Sequence, residues 1–243
     1  MKRVGLSVKS CISTSVGVGL RSRLPGIISD GLVAAWPFDE GEGTTAADIS
    51  GNGHDITSMT GAWITGGFRG TAIVGPGSDL GIDGADVRTV CAVVRPDNIT
   101  TPRIGGPEWP GDTPGTPTNG TRWTMRAKTS DTEFRLEVQG AGESFEDAGM
   151  DLIVDTWQFV AVTQSGDNLN TIVGYVDGAS EASVTAAAIN TDGNFQLFGV
   201  NNVAAPGGIG YGIVYNRALS AAEIATNRHA LTLIMAQRGV TLP

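Results

Sequence analysis

Apolar and polar positions alternate with a period of two along much of this 243-residue chain, the pattern of strands with one face buried. Leu32, Ala34, Trp36 and Phe38 open the series, and Ala72–Val74 and Val90–Val94 predict short buried strands. Trp123–Ala127 and Phe134–Val138 flank the turn Lys128–Asp131, while Phe159–Thr163 and Ile172–Val176 flank Gly166–Asn168. Each pair predicts a hairpin. Phe195–Val200 and Ile209–Tyr215 close the series. With no helical period between residues 31 and 217, the economical architecture is all-β, a two-sheet antiparallel jelly-roll sandwich.

The pattern changes at both ends and once in the middle. Ser220 followed by Glu223 forms a capping-box signature, and good helix formers run from Ala221 to Gln237 before Gly239 stops them. Ile224 falls in the half of this helix assigned to the sandwich, whereas Leu231, Ile234 and Met235 suit either the sandwich or a partner. Residues 1–30 carry Lys2, Arg3, Lys9, Arg21 and Arg23 against a single acid, Asp30, and they alternate at Val4, Leu6 and Val8 and at Val16, Val18 and Leu20. That composition predicts an extended arm able to add strands to a neighbouring protein, with a mobile tail as the alternative. Between Pro96 and Thr121 six prolines break any ladder, so a long surface loop is expected there, carrying Trp109. The division is therefore 1–30 arm, 31–219 sandwich and 220–243 helix and tail.

Glycine, at 35 residues, is about twice its ~7% average, as many short strands joined by tight turns require. The formal net charge of −9 excludes non-specific nucleic-acid binding, which needs a basic face. No apolar run in the sequence approaches the ~20 residues of a membrane span. Cys11 and Cys91 are too far apart for a metal pattern and either pair or remain free thiols. Met1-Lys2-Arg3 opens like a signal peptide, but Lys9, Ser10 and Ser13 interrupt the apolar core, so synthesis without cleavage is expected.

Three segments resemble one family in that family's order: Gly31–Asp55, then Thr156–Thr163 with Gly174–Gly178, then Val214–Ser220. They are similar to laminin-G-like domains of the concanavalin A-like lectin/glucanase superfamily. The resemblance implies that Asp39, Asp48, Asn52 and Asp55 come together in two turns, where some relatives hold a structural calcium ion. Calcium takes six to eight oxygen ligands. Where relatives carry a further acidic ligand, this chain reads Ile209-Gly210-Tyr211. The bland alternative is that Asp48 and Asn52 hydrogen-bond their own turns.

The superfamily also includes glycosidases that act through paired carboxylates, but the Glu-x-Asp-x-x-Glu run of its glucanases is missing from this sequence. Glu133 and Glu137 share a strand face with Arg135 between them, and Glu143, Glu146, Asp147 and Asp151 fall in a turn-like stretch. No enzymatic activity is expected. For sugar binding, Trp63, Trp109 and Tyr211 are the candidate aromatic platforms, with Asn201, Asn202 and Asp112 as polar partners. Trp36, Trp123 and Trp157 are expected in the core.

The expected role is a non-enzymatic binding or structural module of a larger assembly. The resemblance and the arm together point to a bacteriophage virion protein of the decoration, fibre or tail kind. Residues 1–30 would meet other virion proteins, the module would be oligomeric within the assembly, and the sandwich rim would meet host glycans. The alternatives are an extracellular or cell-surface carbohydrate-binding protein and, behind it, a polysaccharide hydrolase.

Overall fold

The computed structural model describes residues 26–70, 80–82, 87–97, 103–107, 122–127, 134–140, 143–150, 152–165, 170–186, 195–198 and 207–243. The larger sheet is built from β1 (Leu32–Trp36), β2 (Gly61–Ile64), β3 (Gly67–Gly70), β4 (Arg88–Pro96), β9 (Gln158–Gln164), β10 (Asn170–Val176), β11 (Ala179–Ala186) and β13 (Gly207–Tyr215). The smaller one contains β5 (Arg103–Pro107), β6 (Arg122–Ala127), β7 (Phe134–Gly140), β8 (Glu143–Met150) and β12 (Phe195–Phe198). Strand order is β11-β10-β9-β4-β13-β3-β2 in the first and β12-β5-β6-β7-β8 in the second. All recorded pairings are antiparallel, including both predicted hairpins, β6–β7 and β9–β10. The two sheets meet where β11 and β10 contact β7 and β8. The chain is thus the expected all-β sandwich with one terminal helix.

Strand β13 organises the larger sheet. It pairs with β4 along its whole length, with β3 at its start and with β1 at its end. Its neighbours are so apolar because both faces of this sheet are covered. Val90, Ala92 and Val94 belong to one core, together with Trp36, Phe38, Val160 and Val162, while Cys91, Val93, Phe159 and Ala161 belong to a second. A sheet buried on both sides reads as a continuous hydrophobic run instead of an alternation.

The second core is roofed by α1 (Ala221–Gln237). Its capping box is formed: Ser220 N–H donates to Glu223 Oε2 at 2.8 Å, and Glu223 N–H donates to Ser220 Oγ at 3.3 Å. Arg217 adds a bidentate grip on Glu223 at 2.6 and 3.1 Å, which, with the Ser220 bonds, holds that carboxyl down at about 2. The helix ends in a Schellman arrangement, with Val240 N–H donating to Met235 O and Gly239 N–H to Ala236 O, and with Gly239 at φ 77°. Ile224, Asn227, Ala230, Leu231 and Met235 form its buried face, at the spacing of one helical stripe. Both halves of the helix therefore pack on the sandwich.

One polar group is buried under that roof. Asn227 donates its amide to Tyr215 Oη at 2.9 Å and lies 3.9 Å from Cys91 Sγ, and its carbonyl accepts the Ile28 N–H at 2.9 Å. Burial pushes the Cys91 thiol up to about 12, with the Asn227 amide pulling it slightly back. The same carboxamide fastens the chain at Ile28, beside buried Ile27. The end of the segment assigned to an arm is thus part of the folded body, while residues 1–25 lie outside the described residues.

Two expectations of irregular chain are corrected. Within the proline-rich stretch, β5 uses the interval between Pro102 and Pro107 and pairs with β6 and β12. Glu143–Met150, expected as a turn, is β8, the edge strand beside β7. Edge strands tolerate charges that a central strand rejects, because one side of their ladder is open.

Candidate functional site

The acidic turns come first. Asp48 is only 3% exposed. Its Oδ1 accepts the Ala35 and Ser50 N–H groups, both at 2.9 Å, and its Oδ2 accepts the Ser50 hydroxyl at 2.8 Å and the His54 N–H at 3.0 Å. Those four bonds occupy the roughly four lone-pair sites of a carboxylate. Asp55 accepts the Asp48 N–H at 2.7 Å, and Asn52 donates to Val33 O at 2.8 Å. Asp39 is turned toward Arg238, 3.6 Å away. Arg238 also donates to Pro37 O and Gly210 O and lies over the Tyr211 ring.

In this arrangement Asp48 turns its lone pairs toward donors of the fold, three backbone N–H groups and the Ser50 hydroxyl, and Asn52 acts as a donor. Among the described residues no three His, Cys, Asp or Glu side chains are grouped to hold a metal. The turn is architecture: Asp48 ties β1 to the loop that follows it. Burial acts to raise its pKa, but the bonds from Ala35, His54 and Ser50 outweigh burial and hold it below the usual carboxylate range.

The sugar-binding candidates scatter. Trp109, Asn201, Asn202 and Asp112 lie outside the described residues. Trp63 is half-buried against the first core, with its ring edge-on to Phe68 at 5.2 Å and its Nε1 donating to Gly43 O at 2.9 Å. Tyr211, a candidate sugar platform, is 1% exposed and packs in the second core with the helix. The register shift between Ile209 and Tyr211 turns Tyr211, Ile213 and Tyr215 toward the helix, away from the face that Ile209 and Val214 occupy. A ring so enclosed offers no platform.

A different place is built like a site. On the helix side of the larger sheet, Arg69, Gly208 and Arg95 lie side by side across β3, β13 and β4. The Trp157 indole lies over the middle of this row. A Cβ on Gly208 would come within 2.7 Å of Trp157 Cη2, and one on Gly66 within 3.1 Å of Cε2 and 2.7 Å of Val240 Cγ2. Glycine within a strand marks such a close approach. Here it seats the indole.

The last turn before β9 supplies the other wall. Thr156 N–H closes it onto Ile153 O at 3.3 Å, and Asp155 holds φ 58° within it. Left-handed backbone is uncommon away from glycine and is worth asking about when it faces a cavity. Asp155 is pinned by its own N–H to Pro96 O at 2.8 Å and by Arg95, which donates to its carbonyl at 3.2 Å and its carboxylate at 2.8 Å. The chain after the helix, Gly239–Thr241, closes the third side. Ile64, Thr65, Arg95, Asp155, Thr156, Trp157, Gly239, Val240 and Thr241 together line a cavity of about 540 Å³, within the ~300–1,000 Å³ of small-molecule sites.

Trp157 is 9% exposed, so its assignment to the core holds and its remaining edge lies in the cleft. Arg95 and Asp155 were not singled out in the sequence. The one local sign was the glycine run Gly207-Gly208-Ile209-Gly210 inside a strand, facing Gly66-Gly67.

Several solved structures of similar shape are distant in sequence. A mutant Trypanosoma rangeli sialidase with trans-sialidase activity superposes with TM-score 0.62 at 16% identity, over 86% of this chain and 34% of its own. Domain 4 of a GH43 extracellular arabinanase from Geobacillus stearothermophilus, in complex with arabinotriose, gives 0.56 at 19%, over 81% of this chain and 98% of the domain. The binding domain of Paraclostridial Mosquitocidal Protein 1 gives 0.54 at 14%, over 86% of this chain and 53% of its own. The chain thus spans about a third of the sialidase and about half of the toxin domain. No curated protein matches the sequence. Among the described residues no helix is long and apolar enough to cross a membrane. A family model covering residues 74–225, more than half of the chain and including β4, β9 and β13, matches as well, and on that match the chain belongs to the concanavalin A-like lectin/glucanases superfamily.

Proposed function

We propose that this domain is a non-enzymatic binding module that holds a glycan in the cleft at Trp157, Arg95 and Asp155. The observation that carries it is that cleft: an indole edge for the apolar side of a sugar, a guanidinium and a carboxylate for its hydroxyls, and three threonines at the margin. A domain of this fold and size with arabinotriose bound to it supports the same use. The chain lacks the carboxylate run of the superfamily's glucanases, which favours binding over hydrolysis. The test is to apply the full chain to a glycan array and to repeat it with Arg95→Ala. Binding should fall by an order of magnitude or more in the variant, the loss of a charge-assisted hydrogen bond of about 1.5–3 kcal/mol. Equal binding by both proteins would remove the cleft from the function.

The larger setting we propose is a bacteriophage virion or a comparable assembly, in which the basic, alternating leading segment docks on neighbouring proteins and the cleft meets a host surface. Because Ile27 and Ile28 are packed on the body, the informative truncation removes residues 1–25. It should abolish incorporation and leave the melting temperature and glycan binding unchanged. Normal incorporation of the truncated chain would take the leading segment out of this role and favour an extracellular or cell-surface carbohydrate-binding protein.

A further inference from the structure

We infer that the cleft selects neutral glycans and rejects carboxylated ones, an inference that rests on the glycan reading above. Its charges are already balanced. Arg69 reaches Asp97 at 2.5 Å, Arg95 lies 3.6 Å from Asp97, and Arg95 reaches Asp155 at 2.8 Å. Two cations and two anions alternate along one ladder, so among the described residues each guanidinium here already faces a carboxylate, with Arg69 keeping 48% of its side chain exposed. Arg95 shows 28% of its side chain to solvent and Asp155 shows 65%. The charge most open to a ligand is therefore negative.

That order decides the chemistry. A sugar hydroxyl donates to a carboxylate and accepts from a guanidinium, so the Arg95–Asp155 couple offers both partners at once without giving up its own pairing. A uronate or sialate would meet Asp155 first, and like-charge juxtaposition there opposes binding, by a modest amount because the carboxylate is 65% exposed. The flanking threonines add neutral donors and acceptors only. The left-handed backbone at Asp155 fits this role, because the turn and Arg95 fix where the exposed carboxylate stands beside the cavity.

Arg95, Asp155 and Trp157 lie inside the stretch matched by the family model, whereas Ile64, Thr65 and Gly239–Thr241 lie outside it, so the cavity forms where the matched sheet meets segments beyond that match.

The experiment titrates the full chain with neutral trisaccharides and with the same trisaccharides oxidised to uronates at C6, alongside Asp155→Asn. Asparagine tolerates left-handed backbone and still accepts from Arg95, but it leaves the ladder with one excess positive charge. The neutral members should bind on the order of tenfold more tightly than their oxidised counterparts, a difference of about 1.4 kcal/mol, and Asp155→Asn should narrow or reverse that ratio. Tighter binding of the oxidised members, or a ratio unmoved by Asp155→Asn, would overturn the selectivity and leave the glycan reading intact. Binding of no member by the wild-type chain would overturn both.

Discussion

Asp48 and Asp155 both sit in tight corners of the chain, and their surroundings assign them opposite work. Asp48 is 3% exposed and meets four donors, one from β1 and three from its own loop. Asp155 is 65% exposed at its side chain, holds φ 58° and is steadied by a single guanidinium. The first carboxylate has its hydrogen-bonding capacity filled by three backbone N–H groups and the Ser50 hydroxyl and is part of the scaffold. The second retains capacity toward a cavity. Acidic density along a sequence thus reports turn architecture at least as readily as it reports a site, and what separates the two is how many donors the fold has already aimed at the oxygens.

Breaking the first corner should have the largest effect. Asp48→Ala leaves the buried N–H of Ala35 and the half-buried donors of His54 and Ser50 without acceptor, a buried loss costing about 1–3 kcal/mol and the half-buried ones less. A total destabilisation of at least about 3 kcal/mol is expected by urea denaturation, with Asp48→Asn intermediate because it keeps one acceptor oxygen. The pH dependence follows from the same bonds. Asp48 titrates lower in the folded chain than in the unfolded one, so its contribution is full above the unfolded value near ~3.9 and is lost as pH falls through the depressed folded value. Acid should destabilise the wild type more steeply than Asp48→Asn. A chelator or added calcium should leave the wild-type melting temperature unchanged, and a rise with calcium would show that the carboxylates reorganise around an ion.

Next in size is the seat of the indole. Gly208→Ala places a methyl 2.7 Å from Trp157 Cη2, and overpacking of this kind costs about 1–3 kcal/mol. Gly66 lies against the same indole, a Cβ there coming within 3.1 Å of Trp157 Cε2, so the ring has little room to shift along the sheet. Glycan binding should fall together with stability, and the tryptophan emission should shift as Trp157 is displaced. Unchanged binding in a destabilised Gly208→Ala would show that the indole does not belong to the site.

How far each corner was legible follows from the range of the interactions that make it. Strands β1, β4, β9, β10 and β13 announce themselves because their patterns are local, and so does the helix, whose capping box needs only Ser220 and Glu223. Strand β8 was hidden because a charged edge strand has the composition of a turn, and β5 because prolines bracket it closely. Tyr211 was misplaced for a subtler reason. A bulge of one residue after Ile209 changes the face on which the following side chains emerge, and the sequence carries no period for that. The cleft was the least visible, because Ile64, Arg95, Asp155 and Val240 are brought together only by the order β4-β13-β3 and by the return of the chain after Gly239. The tie of the leading segment at Ile28 was hidden for the same reason, since it is made to Asn227, a residue 199 positions away.

The smallest stability effect should come from the residue most important to binding. Asp155→Gly removes the left-handed backbone cost, which for a small polar residue is under about 1 kcal/mol. It also removes an exposed ion pair with Arg95, worth about 0–1 kcal/mol. These oppose each other, and the urea midpoint should stay within about 0.5 kcal/mol of wild type, with the glycine's extra unfolded-state entropy consuming part of the gain. Glycan binding should nonetheless be lost, because the hydroxyl-accepting group is gone and Arg95 is released from its partner. Asp48→Ala and Asp155→Gly then form a pair in which one variant unfolds the domain more easily while the other leaves it standing and empty-handed. If Asp155→Gly instead unfolds the protein as readily as Asp48→Ala does, the corner at 155 is scaffold too, and the strain at its backbone is there to close the turn into β9.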